Sequence, residues 1–147
     1  MIRLRRADEA DIDALVHLLN QLFTIEQDFT PDPCKQRRGI KLLLDANDAY
    51  IVVAIHDGDI IGMATLQTLI STAEGGPCGL IEDVVVDESH RGHGVGKALM
   101  KHLVGWAEEE GLTRLQLLAD CGNAAAMDFY RKDGWSMTSL TALRKNP

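Results

Sequence analysis

Long apolar runs are missing from this chain: no stretch approaches the roughly 18 residues that a membrane-spanning helix requires, so no membrane partner is expected. The first residues, Met1-Ile2-Arg3-Leu4-Arg5-Arg6, lack the apolar segment of a secretory signal, and a cytoplasmic location is expected. Cysteine is scarce. Cys34, Cys78 and Cys121 are odd in number, widely spaced and without a Cys-x-x-Cys pair, which points away from both a disulfide framework and a structural zinc site. Repeats, low-complexity segments and linkers are also absent. The 147 residues are therefore expected to form one domain, residues 1–147, around a single core.

Basic charge is in deficit. Fifteen Lys and Arg stand against 22 Asp and Glu, a net charge of −7. That balance argues against nucleic acid as a partner, because attraction to phosphate dominates such binding. The deficit is also local. From Asp45 to His90 there are nine carboxylates and no Lys or Arg, whereas from Arg91 onward eight basic residues stand against six acidic ones.

What is present is an ordinary globular composition, 46% hydrophobic and 25% charged. Ile2 to Arg6 reads as a strand. Asp8 can cap a helix whose Ile12, Leu15, Val16, Leu19, Leu22 and Phe23 share one face. Thr24 to Pro33 breaks that pattern, and a second helix is expected from about Cys34 to Ala46. Tyr50 to Ile55 and Ile60 to Ile70 read as strands joined by a hairpin at Asp57-Gly58. Ser71 to Gly79 reads as a loop and Leu80 to Val86 as a fourth strand. A helix from about Gly94 to Glu110, a buried strand from Arg114 to Ala119, a short helix from Asn123 to Tyr130 closed by Gly134, and a terminal hairpin from about Trp135 to Leu143 complete the order.

Between the fourth strand and its following helix stands Arg91-Gly92-His93-Gly94-Val95-Gly96. A strand that turns through glycines into a helix leaves backbone N–H groups aimed at one point, where the positive end of the helix dipole adds to them. This is a site for a diphosphate. A Walker P-loop would need Gly at position 91 and Ser or Thr at 98, which are Arg91 and Ala98. A dinucleotide fingerprint would need Gly at 97 or 99, which are Lys97 and Leu99. What fits is Arg-x-x-Gly-x-Gly, formed by Arg91, Gly94 and Gly96. It resembles the pyrophosphate-binding signature of the GNAT superfamily of N-acetyltransferases, which hold acetyl-coenzyme A. Asn123 and Tyr130, two helical turns apart after the fifth strand, add to the resemblance, which spans residues 79 to 135.

The resemblance implies an α/β (α+β) fold with a mixed, mostly antiparallel sheet of six or seven strands. The fourth and fifth strands would run parallel and splay apart, with about four helices flanking the sheet. It implies that Arg91, Gly92, His93, Gly94, Val95, Gly96 and Lys97 hold the coenzyme phosphates, helped by Arg131 or Lys132. Main-chain atoms of Val84, Val85 and Val86 would pair with the amide-rich arm of the coenzyme as a further strand does. Asn123 would contact that arm, and Tyr130 would both line the coenzyme site and protonate the departing thiolate.

Acetyl transfer to an amine needs a neutral nucleophile, and alkylamines titrate near pH 10.4, so a base is required. Glu82 interrupts an apolar strand just before the splay, where a carboxylate is expected to be partly desolvated, and it is the candidate base. Asp83, on the opposite face of a regular strand, is the weaker choice. Cys121 has no His close by in sequence to make it a nucleophile, and His90 with His93 lacks the further ligands of a metal site, so no metal is expected. His17 falls off the apolar face of its helix, on the solvent side. Phe23, Glu26, Phe29, Arg37 and Arg38, between the first two helices, are candidates for the acceptor pocket. The acidic middle of the chain suits a cationic acceptor, either a small-molecule amine such as a polyamine or aminoglycoside, or a peptide lysine or N-terminal amine. The other readings are a noncatalytic acyl-coenzyme A sensor and a regulatory domain that keeps only the fold. The terminal hairpin is a candidate homodimer edge.

Overall fold

The computed structural model describes all 147 residues. In chain order it holds β1 (Arg3–Arg6), α1 (Ile12–Ile25), α2 (Pro33–Asp45), β2 (Ala49–His56), β3 (Asp59–Ser71), β4 (Gly76–Val86), α3 (Val95–Glu109), β5 (Leu115–Leu117) and α4 (Ala124–Lys132). Short 3-10 turns at Glu9–Asp11 and Glu88–His90 lead into α1 and out of β4. Residues Met1–Gln116 and Leu117–Pro147 form two compact units. The sheet order is β1-β2-β3-β4-β5, antiparallel through β4 and parallel between β4 and β5.

The helix ends follow local chemistry. Asp8 and Asp11 form a reciprocal capping box, with Asp8 Oδ1 accepting from the Ala10 N–H at 2.9 Å and Asp11 Oδ2 from the Asp8 N–H at 2.8 Å. Asp32 caps α2, and Pro33 opens it because a first-turn residue needs no N–H donor. The helix thus begins one residue before the expected Cys34. Along α1 the expected stripe is buried at Leu15, Val16 and Leu19, joined by Leu18, while Ile12, Leu22 and Phe23 pack at its margin. Asp57 and Gly58, both at positive φ, form the tight turn between β2 and β3 that the Asp-Gly pair predicts.

Side chains alternate across the sheet, so each face has its own cover. Ile51, Val53, Ile55, Met63 and Val85 pack against α1 and α2. Tyr50 stacks on His102 and Trp106 of α3, on the other face. Each fully buried Leu, Ile or Met contributes about 1.5–3 kcal/mol relative to exposure. That burial holds the three helices on a sheet whose central strands are closed to water on both sides.

Three expectations are corrected. The loop expected over Ser71 to Gly79 shrinks to residues 72–75, because Gly76, Pro77, Cys78 and Gly79 ladder against Ser71, Ile70, Leu69 and Thr68. Pro77 needs no donor there, and its carbonyl accepts from the Thr113 N–H at 2.9 Å. Gly79 permits the close approach of β5, since a Cβ at that position would stand 2.7 Å from Leu115 Cδ2. The fifth strand spans three residues rather than the six from Arg114 to Ala119. No strand follows α4, so the sheet has five strands instead of six or seven and the terminal hairpin does not form. The polar groups after α4 bond locally: Trp135 Nε1 donates to Asp133 Oδ2, and the Leu140 N–H to Thr138 Oγ1. Met137, Leu140 and Leu143 are exposed, so no apolar face is buried that would hold a strand in register.

Candidate active site

β4 carries the site in the first unit. Met63 pairs with Val85 and Thr65 with Glu82, which leaves Asp83 and Val84 together opposite Ala64. This is a β-bulge, and it breaks the alternation along the strand. Asp83 takes the left-handed conformation at φ 53, a geometry that Asp and Asn tolerate better than other side-chain-bearing residues. Its carboxylate accepts from Thr65 Oγ1 at 3.4 Å, and Thr65 also donates to the Glu82 carbonyl at 3.0 Å. Burial raises the Asp83 pKa from 3.8 to about 6, and the charges of Glu82 and of Glu26 at the end of α1 push in the same direction.

The expected environments of the two carboxylates are thereby exchanged. Glu82 is exposed, and the desolvation expected of it falls on Asp83. Asp83 turns toward Thr65 and feels the charge of Glu26 of α1. The reading from alternation assumed a regular strand. The available signal was an Asp that tolerates φ > 0 beside a second acid in an apolar run.

The donor turn follows. The backbone leaves β4 with the Asp87 N–H donating to the Ile61 carbonyl at 2.8 Å and passes through the Glu88–His90 turn. It then reverses through Gly92 at φ 77 and Gly94 at φ 83. Nothing lies within 4 Å of where a Cβ would stand on either glycine. Gly94 is the N-cap of α3 and offers no side-chain oxygen to the N–H groups of Val95, Gly96 and Lys97. An open, donor-rich, uncapped helix start fits a diphosphate, and Val95, buried beside Gly62, fixes that start to the sheet. Arg91, His93 and Lys97 are exposed around the turn, and Arg91 Nε donates to the Val86 carbonyl at 2.9 Å. Val85 and Val86 pair with Met63 and Gly62 of β3. The backbone bonds to the chain entering β5 join Pro77 and Gly79 to Thr113 and Arg114, ahead of Val84, Val85 and Val86.

Sequence reasoning also missed Gln21. Its Nε2 donates to Asp87 Oδ1 at 2.8 Å, and its Oε1 accepts from the Glu88 N–H at 3.0 Å, so α1 grips the exit of β4. Hydrogen bonds from Ser89, Gln21 and His90 hold the Asp87 carboxyl well below the usual carboxylate range. A lone Gln on the polar side of an amphipathic helix carries no pattern that would single it out. Among the acceptor candidates, Phe23 and Phe29 stack with centroids 5.4 Å apart, and Glu26 lies in the field of Asp83. Arg37 is paired with Asp13 at 2.6 Å, and Arg38 is exposed on α2. His17 is exposed as expected.

In the second unit Asn123 caps α4, accepting from the Ala126 N–H at 3.1 Å, and Gly134 at φ 90 closes it. Tyr130 meets Phe129 and Trp135 edge-on, with centroids at 5.1 and 6.4 Å. Arg131 and Lys132 are paired with Asp128 of their own helix. Cys121 is exposed.

A model of the acetyltransferase (GNAT) family matches residues 12–135. Streptothricin acetyltransferase of Streptomyces lavendulae is 34% identical over 96 residues, covering 65% of this chain and 49% of that protein. Aminoalkylphosphonate N-acetyltransferase of Salmonella typhimurium is 29% identical over 140 residues, 92% of this chain and 85% of its own. Among solved structures, a transcriptional regulator of Bacillus halodurans C-125 superposes with a TM-score of 0.87 at 25% identity, covering 99% of each chain. The chain spans about half the length of curated relatives such as the Streptomyces protein. With sheet order, donor turn and a family match over most of its length in agreement, the chain belongs to the acetyltransferase (GNAT) family.

Proposed function

We propose that this chain is an N-acetyltransferase that transfers an acetyl group from acetyl-coenzyme A to a cationic primary amine by direct attack in a ternary complex. The observation that carries the reading is the β4 bulge, which turns Asp83 to Thr65 and into the field of Glu26 and Glu82 on the strand that leads into the donor turn. Acetyl-coenzyme A, when bound, supplies an acetyl thioester. The N–H groups of Val95, Gly96 and Lys97 would hold its diphosphate, with Arg91 and Lys97 adding positive charge.

Asp83 is the base. A carboxylate with a pKa of about 6 is ionised at neutral pH and accepts a proton better than an ordinary Asp does. It takes the proton that the acceptor ammonium must lose, directly or through one water, so that the nitrogen lone pair can form the C–N bond. As the C–S bond breaks, sulfur takes a proton, the role that the family resemblance gives to Tyr130. Glu82 and Glu26 act through charge, drawing an ammonium toward Asp83 and favouring acceptors with a second positive group. The absence of Lys and Arg from Asp45 to His90 supports this preference. One relative is named for streptothricin and another for N-acetylation of aminoalkylphosphonate, which supports a small-molecule acceptor.

An amine library assayed for release of free thiol with acetyl-coenzyme A tests the proposal. Diamines, polyamines and aminoglycosides should be turned over in preference to mono-amines. Turnover confined to neutral or anionic amines rejects the cationic acceptor. The fold shared with the Bacillus halodurans regulator favours one alternative, a coenzyme-binding regulatory domain. Coenzyme binding without turnover of any amine would establish that alternative.

A further inference from the structure

Gln21 is a mid-helix residue of α1, 66 positions from its partner in sequence, yet both ends of its amide are used on the same short segment. The Nε2 donates to the side chain of Asp87 at 2.8 Å while the Oε1 accepts from the main chain of Glu88 at 3.0 Å. A primary amide matches this paired acceptor and donor, and a carboxylate or an amine in its place would satisfy only one of them. Asp87 is the hub of the turn. Besides Gln21 it accepts from the Ser89 N–H at 3.1 Å and from the Ser89 hydroxyl, and it sits 3.3 Å from His90 Nδ1. The Asp87 N–H reaches Ile61 of β3, and the Asp87 carbonyl accepts from the His90 N–H at 2.9 Å. Immediately beyond come Arg91, Gly92 and Gly94, where open space surrounds the position a Cβ would take on either glycine.

The glycines that open the donor turn have no side chains to pack, so their position is set by what precedes and follows them. Val95 anchors the far side in the core. On the near side the segment is bound to β3 through Ile61 and to α1 through Gln21. The same helix ends, one and a half turns after Gln21, at Glu26, whose charge acts on Asp83. One helix thus grips the exit into the donor turn and, through the charge at its end, acts on the acceptor-side carboxylate.

We infer that Gln21 is a positioning residue for coenzyme binding: its amide clamp on Asp87 and Glu88 holds the glycine turn in the conformation that receives the diphosphate. The inference rests on the acetyltransferase reading above. Freeing the turn lowers the fraction of molecules that are ready to bind, and the apparent affinity falls by that same fraction. The acceptor site, held by the β4 bulge, is not loosened directly.

The test compares wild type, Gln21→Ala, Gln21→Glu, and Gln21→Glu combined with Asp87→Asn. Acetyl-coenzyme A binding is measured by calorimetry, with melting temperature and acceptor KM alongside. Gln21→Glu keeps an acceptor for the Glu88 N–H but sets two carboxylates face to face. Adding Asp87→Asn restores a donor and acceptor pair with the roles reversed, and leaves the Asn oxygen to accept from Ser89. Gln21→Glu should weaken coenzyme binding about tenfold or more, Gln21→Ala by about threefold to tenfold, and the double variant should return to within about threefold of wild type. Acceptor KM should stay within about twofold throughout. Unchanged binding in Gln21→Ala overturns the inference, and so does a loss in Gln21→Glu that Asp87→Asn fails to restore. Failure of the wild type to bind acetyl-coenzyme A would instead overturn the functional reading, so the two failures are distinct.

Discussion

Replacing Asp83 by Asn tests the proposed chemistry and the cost of the site at once. Asn preserves the volume, tolerates the left-handed backbone at φ 53 and can still accept from Thr65, but it carries no charge and takes no proton. A pKa raised from 3.8 to about 6 means that folding disfavours the ionised form by about two pKa units, on the order of 3 kcal/mol at about 1.4 kcal/mol per unit. The sign follows from the proton count. Above pH 6 the wild type carries the full penalty of an ionised, desolvated carboxylate, between pH 6 and 4 the penalty shrinks as the folded state binds a proton, and below about pH 4 it is gone. Asp83→Asn should therefore raise the melting temperature at pH 8 by roughly 5–10 °C for a chain of this size, with no gain near pH 4. Turnover should fall by roughly 10² to 10⁴, and the acidic limb of kcat/KM near pH 6 should disappear. Thermal melts across pH and steady-state rates on the best amine found are the assays. A variant that keeps the wild-type rate, or that gains no stability at pH 8, refutes the assignment of Asp83 as a partly buried base.

Three further outcomes are expected. Glu26→Gln removes a like charge from beside Asp83, so the acidic limb should move to lower pH and KM for a polyamine should rise several-fold; a limb that stays in place or moves up would contradict the electrostatic coupling. Tyr130→Phe should lower kcat while coenzyme affinity measured by calorimetry is unchanged, and equal turnover would reduce Tyr130 to a partner of Phe129 and Trp135. Gly94→Ala places a Cβ on a residue at φ 83, which costs about 1 kcal/mol or more in the backbone and moves the first N–H groups of α3. Acetyl-coenzyme A binding should weaken at least tenfold, and wild-type affinity in a folded Gly94→Ala protein would place the diphosphate elsewhere.

Much of this protein is written locally. The capping residues Asp8 and Asn123, the stripe of α1, the Asp-Gly turn and the glycines before α3 are each short-range in sequence, so spacing and composition were enough to locate them. The donor turn belongs to this class because its chemistry lies in its own backbone. Other features depended on partners far along the chain. Gly76 to Gly79 has the composition of a loop and becomes strand only because β3 offers a ladder and β5 comes close over Gly79. The apolar residues after α4 have the alternation of a hairpin but bury no face, so no strands form.

The base shows the division most clearly. Sequence alone determined that two adjacent acids interrupt the apolar strand before the glycine turn. Which of them is withdrawn from water was decided by tertiary structure, because the bulge in β4 turns Asp83 to Thr65 and into the field of Glu26 while Glu82 stays exposed. The clamp by Gln21 was likewise invisible in the sequence, since a hydrogen bond between residues 66 positions apart exists only when α1 packs on β4. Periodicity reports what a segment does with its neighbours in the chain, whereas burial and charge depend on the neighbours that folding brings in.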